Sequence, residues 1–438
     1  MLCYNRSLHQ HTSLESPALM TQAQERVVLA YSGGLDTSVL IPWLREKYDL
    51  DVITLTANLG TEADLPAIRE KARRTGASEA YVEDARDVFV RFFCWPALQA
   101  GAMYEGVYPL ATALGRPLIA KLLVDIAHRV GATKVAHGCT GKGNDQVRFD
   151  VAVGALDPSL QIIAPVRDYR MHRDEELVYA REHDIPVPAS FDSAYSVDEN
   201  LWGRSVESGL LEDPWVKPPE DAYTWTTAPE QAPDRPEAVE IEFYQGIPVA
   251  LDGVKLEGVE LIARLNKIGA RNGVGRIDHI ENRLVGIKSR EVYEAPAAVI
   301  LHAAHQELEN MTLSKDQIRF KSKVAAELAD LIYNGLWFSA LHQDLAAFVA
   351  STQHYVTGAV RVELYKGFYR IVSRRAQHSL YDPQLATYSK DDTFDHQAAA
   401  GFIGIFGLQL RTQSQVQWLG RSADEILRLS AGGTAPAG

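Results

Sequence analysis

Cysteine is scarce in this chain: its 438 residues hold only Cys3, Cys94 and Cys139, and no C-x-x-C pair occurs. That scarcity excludes a disulfide framework and a zinc knuckle, and it fits a reducing, cytoplasmic compartment. Positive charge is in deficit, with 44 Lys and Arg against 57 Asp and Glu and a formal net charge of −13. Nucleic-acid affinity comes largely from phosphates neutralised by Lys and Arg, so the deficit points to small-molecule partners and away from nucleic acid. No apolar run approaches the roughly 18 to 20 residues of a membrane span, so no membrane partner is expected. Residues 1–25 are polar, with His9 and His11 among Ser, Thr and Gln, and lack the apolar centre of a secretory signal. They read as a mobile extension, and Met20 is a candidate start.

What is present is a chain 46% hydrophobic, enough to bury a full core and divide into two or three units. From Arg26 to Pro188 short β-rich runs alternate with segments of helical period, the pattern of a parallel sheet covered on both faces. Strands are expected at 27–31, 51–57, 79–82 and 134–137, with one helix through Ile68 and Ala72 and another along Leu118, Leu122, Ile126 and Val130. Ligands bind beyond the carboxyl ends of such strands, so the loops after Tyr31, Ala57 and His137 are expected to converge. Six prolines between Asp213 and Pro236 mark an ordered connection or arm, since they are too many for a regular element. A second unit surrounds it, with strands at 239–243 and 247–251, a hairpin of 359–364 with 368–372, and a helix over 316–333. Near the end, Val416, Leu419, Ile426 and Leu429 are spaced as a loose helix that packs either on its own chain or on another subunit.

The most informative run is Val28-Leu29-Ala30-Tyr31-Ser32-Gly33-Gly34-Leu35-Asp36-Thr37-Ser38, an apolar strand ending in a hydroxyl- and glycine-rich turn that opens a helix. Gly33 and Gly34 can take positive φ, so that backbone N–H groups converge on an anion beside the helix's positive end. Ser32, Thr37 and Ser38 add hydroxyl donors. The run lacks the Gly-Lys-Ser/Thr of a Walker A loop and the G-x-G-x-x-G of a dinucleotide site. It resembles the pyrophosphate loop of the N-type ATP pyrophosphatases, which cleave ATP between the α and β phosphates and adenylate a substrate. A second glycine-rich loop, 137–149, carries Thr140 and Asn144 to donate to a carboxylate, Asp145 to accept from an ammonium, and the planar fork of Arg148. Those are the needs of an amino-acid ligand. The cluster 196–205 reads by itself as a capped helix start, with Ser196 as N-cap and Glu199 three residues on. A fourth cluster, Gly273 to Arg283 and Lys288 to Glu294, concentrates both signs of charge, as a solvated face also does.

In this order and spacing the four clusters are similar to argininosuccinate synthases over essentially the whole chain after residue 25. The first loop alone marks the broader group, whereas Gly-Lys-Gly-Asn-Asp-Gln-Val-Arg-Phe, Asp-Glu-Asn-Leu and Gly-Arg-Ile-Asp with the following Glu-Asn-Arg, Lys-Ser-Arg and Tyr-Glu belong to this family. The resemblance implies an α/β fold. Its parts are a parallel-sheet nucleotide-binding domain of the N-type ATP pyrophosphatase kind (26–188), an α+β synthetase domain (189–375) and a C-terminal segment with a helical oligomerisation tail (376–438). It implies condensation of citrulline with aspartate using ATP, through a citrullyl adenylate, with Mg²⁺ assisting the departing pyrophosphate and no protein-held metal site. A cytoplasmic homotetramer is implied as well. By matching position, Ala30, Tyr31, Ser32, Gly33, Gly34, Leu35, Asp36, Thr37, Ser38, Ala57 and Gly138 fall at the ATP site, with Asp36 and Ser38 nearest the triphosphate and its metal. Thr140, Asn144 and Asp145 fall at the aspartate site. Tyr108, Asn144, Arg148, Ser196, Ser205, Glu281 and Tyr293 fall at the citrulline site, where Glu281 pairs with the α-ammonium and Arg148 faces the reacting end. Asp36, Ser38, Asn144, Asp145 and Arg148 are the implied catalytic set.

Four positions depart from the family's pattern. Thr61 stands where Gln is general, Ala111 replaces a common glycine, Ala113 occupies a position that often carries a hydroxyl, with Thr112 beside it, and Val166 replaces a Trp. These leave open a related ligase acting on another ureido or carbonyl compound. A tRNA-modifying pyrophosphatase would share the first loop but show a basic surface or a reactive cysteine pair. A silent scaffolding homologue would have lost one of Asp36, Asp145, Arg148 or Glu281, and all four are present.

Overall fold

Alternation along Val27-Val28-Leu29-Ala30-Tyr31 sets the first sheet. Val27, Leu29 and Tyr31 pack with Leu40, Ile41 and Leu44 of the helix Leu35–Tyr48, whereas Val28 packs with Leu123, Val124 and Ile126 of the helix Ala111–Val130. A strand apolar on both faces suits a parallel sheet covered on both sides. The computed structural model, which describes residues 24–61, 63–169, 173–186 and 195–432, shows that sheet. Its strands β1 (Arg26–Ala30), β2 (Asp51–Asn58), β3 (Glu79–Asp84), β4 (Lys134–Ala136) and β5 (Gln161–Ile163) are all parallel, in the order β3-β2-β1-β4-β5. The order reverses between β1 and β4, which opens a crevice at their carboxyl ends.

Two antiparallel sheets follow. One joins β6 (Ser196–Asn200), β7 (Gly203–Glu207), β11 (Arg276–Asn282) and β12 (Lys288–Glu294) in the order β11-β12-β7-β6. The other joins β8 (Glu237–Tyr244), β9 (Ile247–Leu251), β10 (Val254–Lys255), β13 (Gly358–Tyr365) and β14 (Phe368–Ala376) in the order β10-β9-β8-β13-β14. Ser196–Asn200 is therefore a strand and not a helix start, because pairing with β7 outweighs the local capping pattern. The second glycine-rich loop is also shorter than the sequence suggests, since a helix begins at Asp145 and runs to Leu156. The proline-rich connection is ordered by one buried carboxylate. Glu294 accepts from the backbone N–H groups of Thr224, Trp225 and Thr226, from the Thr226 hydroxyl and from Arg204.

The described residues up to His378 form one compact unit, and those from Ser379 form a second. In the second, the helices His396–Phe406, Leu408–Gln417 and Ala423–Ser430 carry no buried residue. The expected helix over Val416 to Leu429 is thus two, and Ser422 recaps the second through a capping box with Glu425. Among the described residues no helix is long and apolar enough to cross a membrane. His9, His11, Met20 and the expected boundary at Pro188 lie outside the described residues. Glu25, at the end of the leading segment, is tied in: its carbonyl accepts from Asp51 N–H and its carboxylate from Lys134 at 2.7 Å.

Candidate active site

The turn after β1 is knitted by its own hydroxyls. Ser32 Oγ accepts from Gly34 N–H at 3.3 Å and pairs with Thr37 Oγ1 at 3.1 Å, while Lys71 Nζ donates to the Gly33 carbonyl at 2.8 Å. Gly33 takes φ +81°, but Gly34 does not share that conformation: at φ −69° it is the N-cap of the helix Leu35–Tyr48. Gly34 has no side chain to cap that helix, so its first N–H groups stay available to an anion. The Ser38 hydroxyl turns inward. It donates to the Gly34 carbonyl at 2.6 Å, lies 3.1 Å from the Tyr31 hydroxyl, and is fully buried.

This turn forms one wall of a cavity of about 480 Å³. Ala30, Tyr31, Ser32, Gly34, Leu35, Asp36 and Thr37 line it from the first turn, Ala57 and Thr61 from the end of β2, and Gly138 from the end of β4. The three loops converge as the switch-point rule requires. A Cβ on Gly138 would stand 3.3 Å from Thr37 Cγ2, so glycine there lets two loops close together. The fourth wall is β6, through Val197, Asp198, Glu199 and Asn200. It is held in place because Leu201 N–H donates to the Leu59 carbonyl at 2.8 Å and Asn200 Nδ2 donates to the Ala111 carbonyl at 2.8 Å.

A smaller cavity of about 100 Å³ lies on one face of the β11-β12-β7-β6 sheet. Period-two alternation puts Ser205 and Glu207 of β7, Glu291 and Tyr293 of β12, and Glu281 of β11 on that face. The Glu281 carboxylate accepts from the hydroxyls of both Tyr293 and Tyr333. Tyr333 in turn accepts from Asn144 Nδ2 at 2.8 Å, and its ring stacks on Tyr104 at 3.6 Å and beneath the Arg148 guanidinium at 4.8 Å. Tyr108 stacks on Tyr293 at 4.0 Å and accepts from Thr112 N–H at 2.9 Å. Burial pushes the Tyr108, Tyr293 and Tyr333 phenols up, so they stay neutral donors. Glu291 is pushed up to about 8 by burial and by the nearby Glu207 and Glu281 carboxylates, which outweigh its bond to Arg283.

The two cavities share Asp145 and Asp198. Asp145 sits in the first turn of its helix, where one oxygen meets Arg148 Nη1 at 3.0 Å and the other meets Arg116 Nη2 at 2.8 Å. Those two guanidinium groups hold its carboxyl at about 2 against the effect of burial. Of the residues named from the sequence, Tyr108, Asn144, Asp145, Arg148, Ser205, Glu281 and Tyr293 meet at the smaller cavity. Thr140 and Ser196 are exposed and line neither cavity, and Gly33 and Ser38 also lie outside both linings. Sequence reasoning missed Tyr333, Arg116 and Asp198 as site residues. Asp198 lies inside the 196–205 cluster, and alternation along a strand there aims it at the site; nothing local marks Tyr333 beyond the helix stop at Asn334-Gly335.

The fold and site define a class: a HUP-type nucleotide-binding domain whose switch point abuts an acidic, amino-acid-sized pocket on a second sheet. The N-terminal HUP domain of argininosuccinate synthase matches residues 26–186, and the C-terminal domain of the same enzyme matches residues 195–413. An argininosuccinate synthase of Dehalococcoides mccartyi strain BAV1 is 58% identical over 393 residues, covering 90% of this chain and 97% of that protein. One of Chlorobium phaeobacteroides strain BS1 is 57% identical over 395 residues, covering 90% and 98%. One of Chlorobaculum tepidum is 56% identical over 396 residues, covering 90% and 99%. The chain belongs to the argininosuccinate synthase family.

Proposed function

We infer that this chain condenses citrulline with aspartate using ATP, giving argininosuccinate, AMP and pyrophosphate in arginine synthesis, with ATP in the larger cavity and citrulline in the smaller. The observation that carries the division is the shared wall of Asp145 and Asp198, where a nucleotide in one cavity and an amino acid in the other would meet. A ureido oxygen is a poor leaving group. Its lone pair attacks the α-phosphorus, the bond to the α,β-bridging oxygen breaks, and pyrophosphate leaves with that electron pair. The aspartate amine then displaces AMP from the adenylated carbon, its ammonium giving up two protons on the way to the product guanidinium. No covalent enzyme nucleophile is needed, so positioning and charge stabilisation carry the rate.

The Glu281 carboxylate, fixed by two phenols, receives the citrulline ammonium, and Arg148 faces the ureido end. Asn144 and Asp145 serve aspartate, and Asn144 borders both amino acids. Assignment of Thr140 to aspartate and of Ser196 to citrulline rests on the family resemblance alone. Ser38 acts by holding Gly34 and Tyr31. Ala113 is fully buried, while Thr112 lines the smaller cavity with its hydroxyl 3.5 Å from Ser205 Oγ, so Thr112 takes the polar role beside citrulline. Mg²⁺ would enter with the triphosphate. Among the described residues no group of three His, Cys, Asp or Glu is placed to hold an ion, and Mg²⁺ at such sites is held by one or two carboxylates plus substrate phosphates. Asp36, exposed beside the loop, fits that part, and the bound ion would supply charge to the departing pyrophosphate. The unpaired Cys94 and Cys139 support a cytoplasmic setting, and the exposed apolar side chains after Ser379, Phe402, Ile403, Ile405, Phe406, Leu408 and Leu410, support assembly into a homotetramer.

The test is pyrophosphate release from ATP with citrulline and aspartate, each omitted in turn, with mass spectrometry of the product. Argininosuccinate formed only with all three supports the reading; release with another ureido compound and not with citrulline overturns it.

A further inference from the structure

We propose that Arg116 is a catalytic residue that binds the α-phosphate of ATP and stabilises the charge that develops there as the ureido oxygen attacks. The inference deepens the functional reading above and rests on it. Among the described residues, Arg116 is the only Lys or Arg that lines the larger cavity, against four carboxylates, Asp36, Asp145, Asp198 and Glu199. A triphosphate entering that cavity meets one fixed cation.

Arg116 stands where the chemistry has to occur. Its Nη2 meets Asp145 at 2.8 Å and also bonds Asp198, and those two aspartates are the residues common to both cavities. The ureido oxygen can reach phosphorus only at this boundary, so the α-phosphate is the phosphate placed beside Arg116. The guanidinium is also incompletely satisfied, because its Nε–H is buried and has no hydrogen-bond acceptor among the described residues. A buried donor of a charged group left without a partner is costly, and such a group in a native fold calls for an explanation. When the guanidinium turns toward the cavity, an α-phosphate oxygen supplies the acceptor that this N–H lacks, and the α-phosphate presents an oxygen pair that a guanidinium fork matches.

Asp145 links this cation to the second amino acid. It is shared between Arg116 and Arg148. When it accepts the ammonium of aspartate, its hold on Arg116 weakens and the guanidinium turns its donors to phosphate. Aspartate thereby promotes adenylation of citrulline through Arg116.

The experiment compares wild type with Arg116→Gln and Arg116→Lys, using ATP and then the two diastereomers of ATP bearing sulfur on the α-phosphorus. Arg116→Lys keeps a cation for Asp145 and Asp198 and guards against a variant that merely misfolds. We expect kcat for pyrophosphate release to fall about 10²- to 10³-fold in Arg116→Gln, with a smaller change in the KM for ATP. The preference of wild type for one sulfur diastereomer should fall in both variants, which a structural clasp between Asp145 and Asp198 would not produce. Folded Arg116→Lys with wild-type kcat and an unchanged diastereomer preference overturns the proposal. Wild type that makes no argininosuccinate overturns the functional reading and this proposal with it.

Discussion

Replacing Tyr333 by Phe removes one oxygen and leaves the ring that stacks on Tyr104 and supports Arg148. The lost hydroxyl donates to Glu281 and accepts from Asn144 Nδ2. Hydrogen bonds to charged groups contribute about 1.5 to 3 kcal/mol. Tyr293 still holds the other Glu281 oxygen, so the carboxylate is loosened and not lost. If Glu281 receives the citrulline ammonium, the whole of that loosening appears in citrulline binding, a rise of about 10- to 150-fold in its KM. The KM for ATP should move less than about threefold, because Tyr333 lines the smaller cavity and not the larger. Initial rates of pyrophosphate release, with each substrate varied in turn, separate the two. Equal rises in the KM for ATP and citrulline, or none in either, would refute the assignment of Glu281 to the ammonium.

Three further outcomes are expected. Asp145→Asn should weaken use of aspartate more than citrulline-dependent exchange of pyrophosphate into ATP; equal loss of both would sink the division of labour between Asp145 and Glu281. Glu291 has a folded pKa near 8, above its unfolded value near 4.3, so the folded protein binds more protons between those values and its stability falls as pH rises through that window. Glu291→Gln should therefore lose less Tm than wild type between pH 5 and pH 8, and parallel Tm profiles would contradict the argument. Deletion after about residue 410 removes the helix Ala423–Ser430 and most of Leu408–Gln417, and it should reduce the assembled mass seen by light scattering; an unchanged mass would exclude a role for the tail in assembly.

The parallel sheet and its three converging loops were legible because their signals are local. The alternation through Val27 to Tyr31, the glycines at 33 and 34 and the stop at Gly131 each act within a few residues. The polar half of the site was legible as residue types and not as geometry. Ser196 to Glu199 imitates a helix cap, and only the partner strand β7 decides otherwise. Tyr333 reaches Glu281 across 52 positions of sequence, through the meeting of a helix end with a sheet face, and no local pattern encodes that approach. Gly335 records it indirectly: a Cβ there would stand 2.8 Å from Arg148 Cα, so the chain after Tyr333 has to pass tight against the helix Asp145–Leu156. Ser38 shows the reverse case, a motif residue whose hydroxyl is spent on the turn itself.

The helix Ala111–Val130 presents Thr112 to the smaller cavity and Arg116 to the larger, one turn apart. Four residues of α-helix rise about 6 Å, a length fixed by backbone hydrogen bonds and independent of side chains. The fold therefore carries a ruler between the smaller cavity and the larger. Same-length replacements along it, such as those at Ala111 and Ala113, leave the scale intact, whereas one inserted or deleted residue rotates Arg116 by about 100° and turns it away. On the proposed assignment of the two cavities, discrimination among ureido amino acids that differ by a single methylene would be a property of main-chain geometry, which substitutions in the pocket walls cannot easily reset.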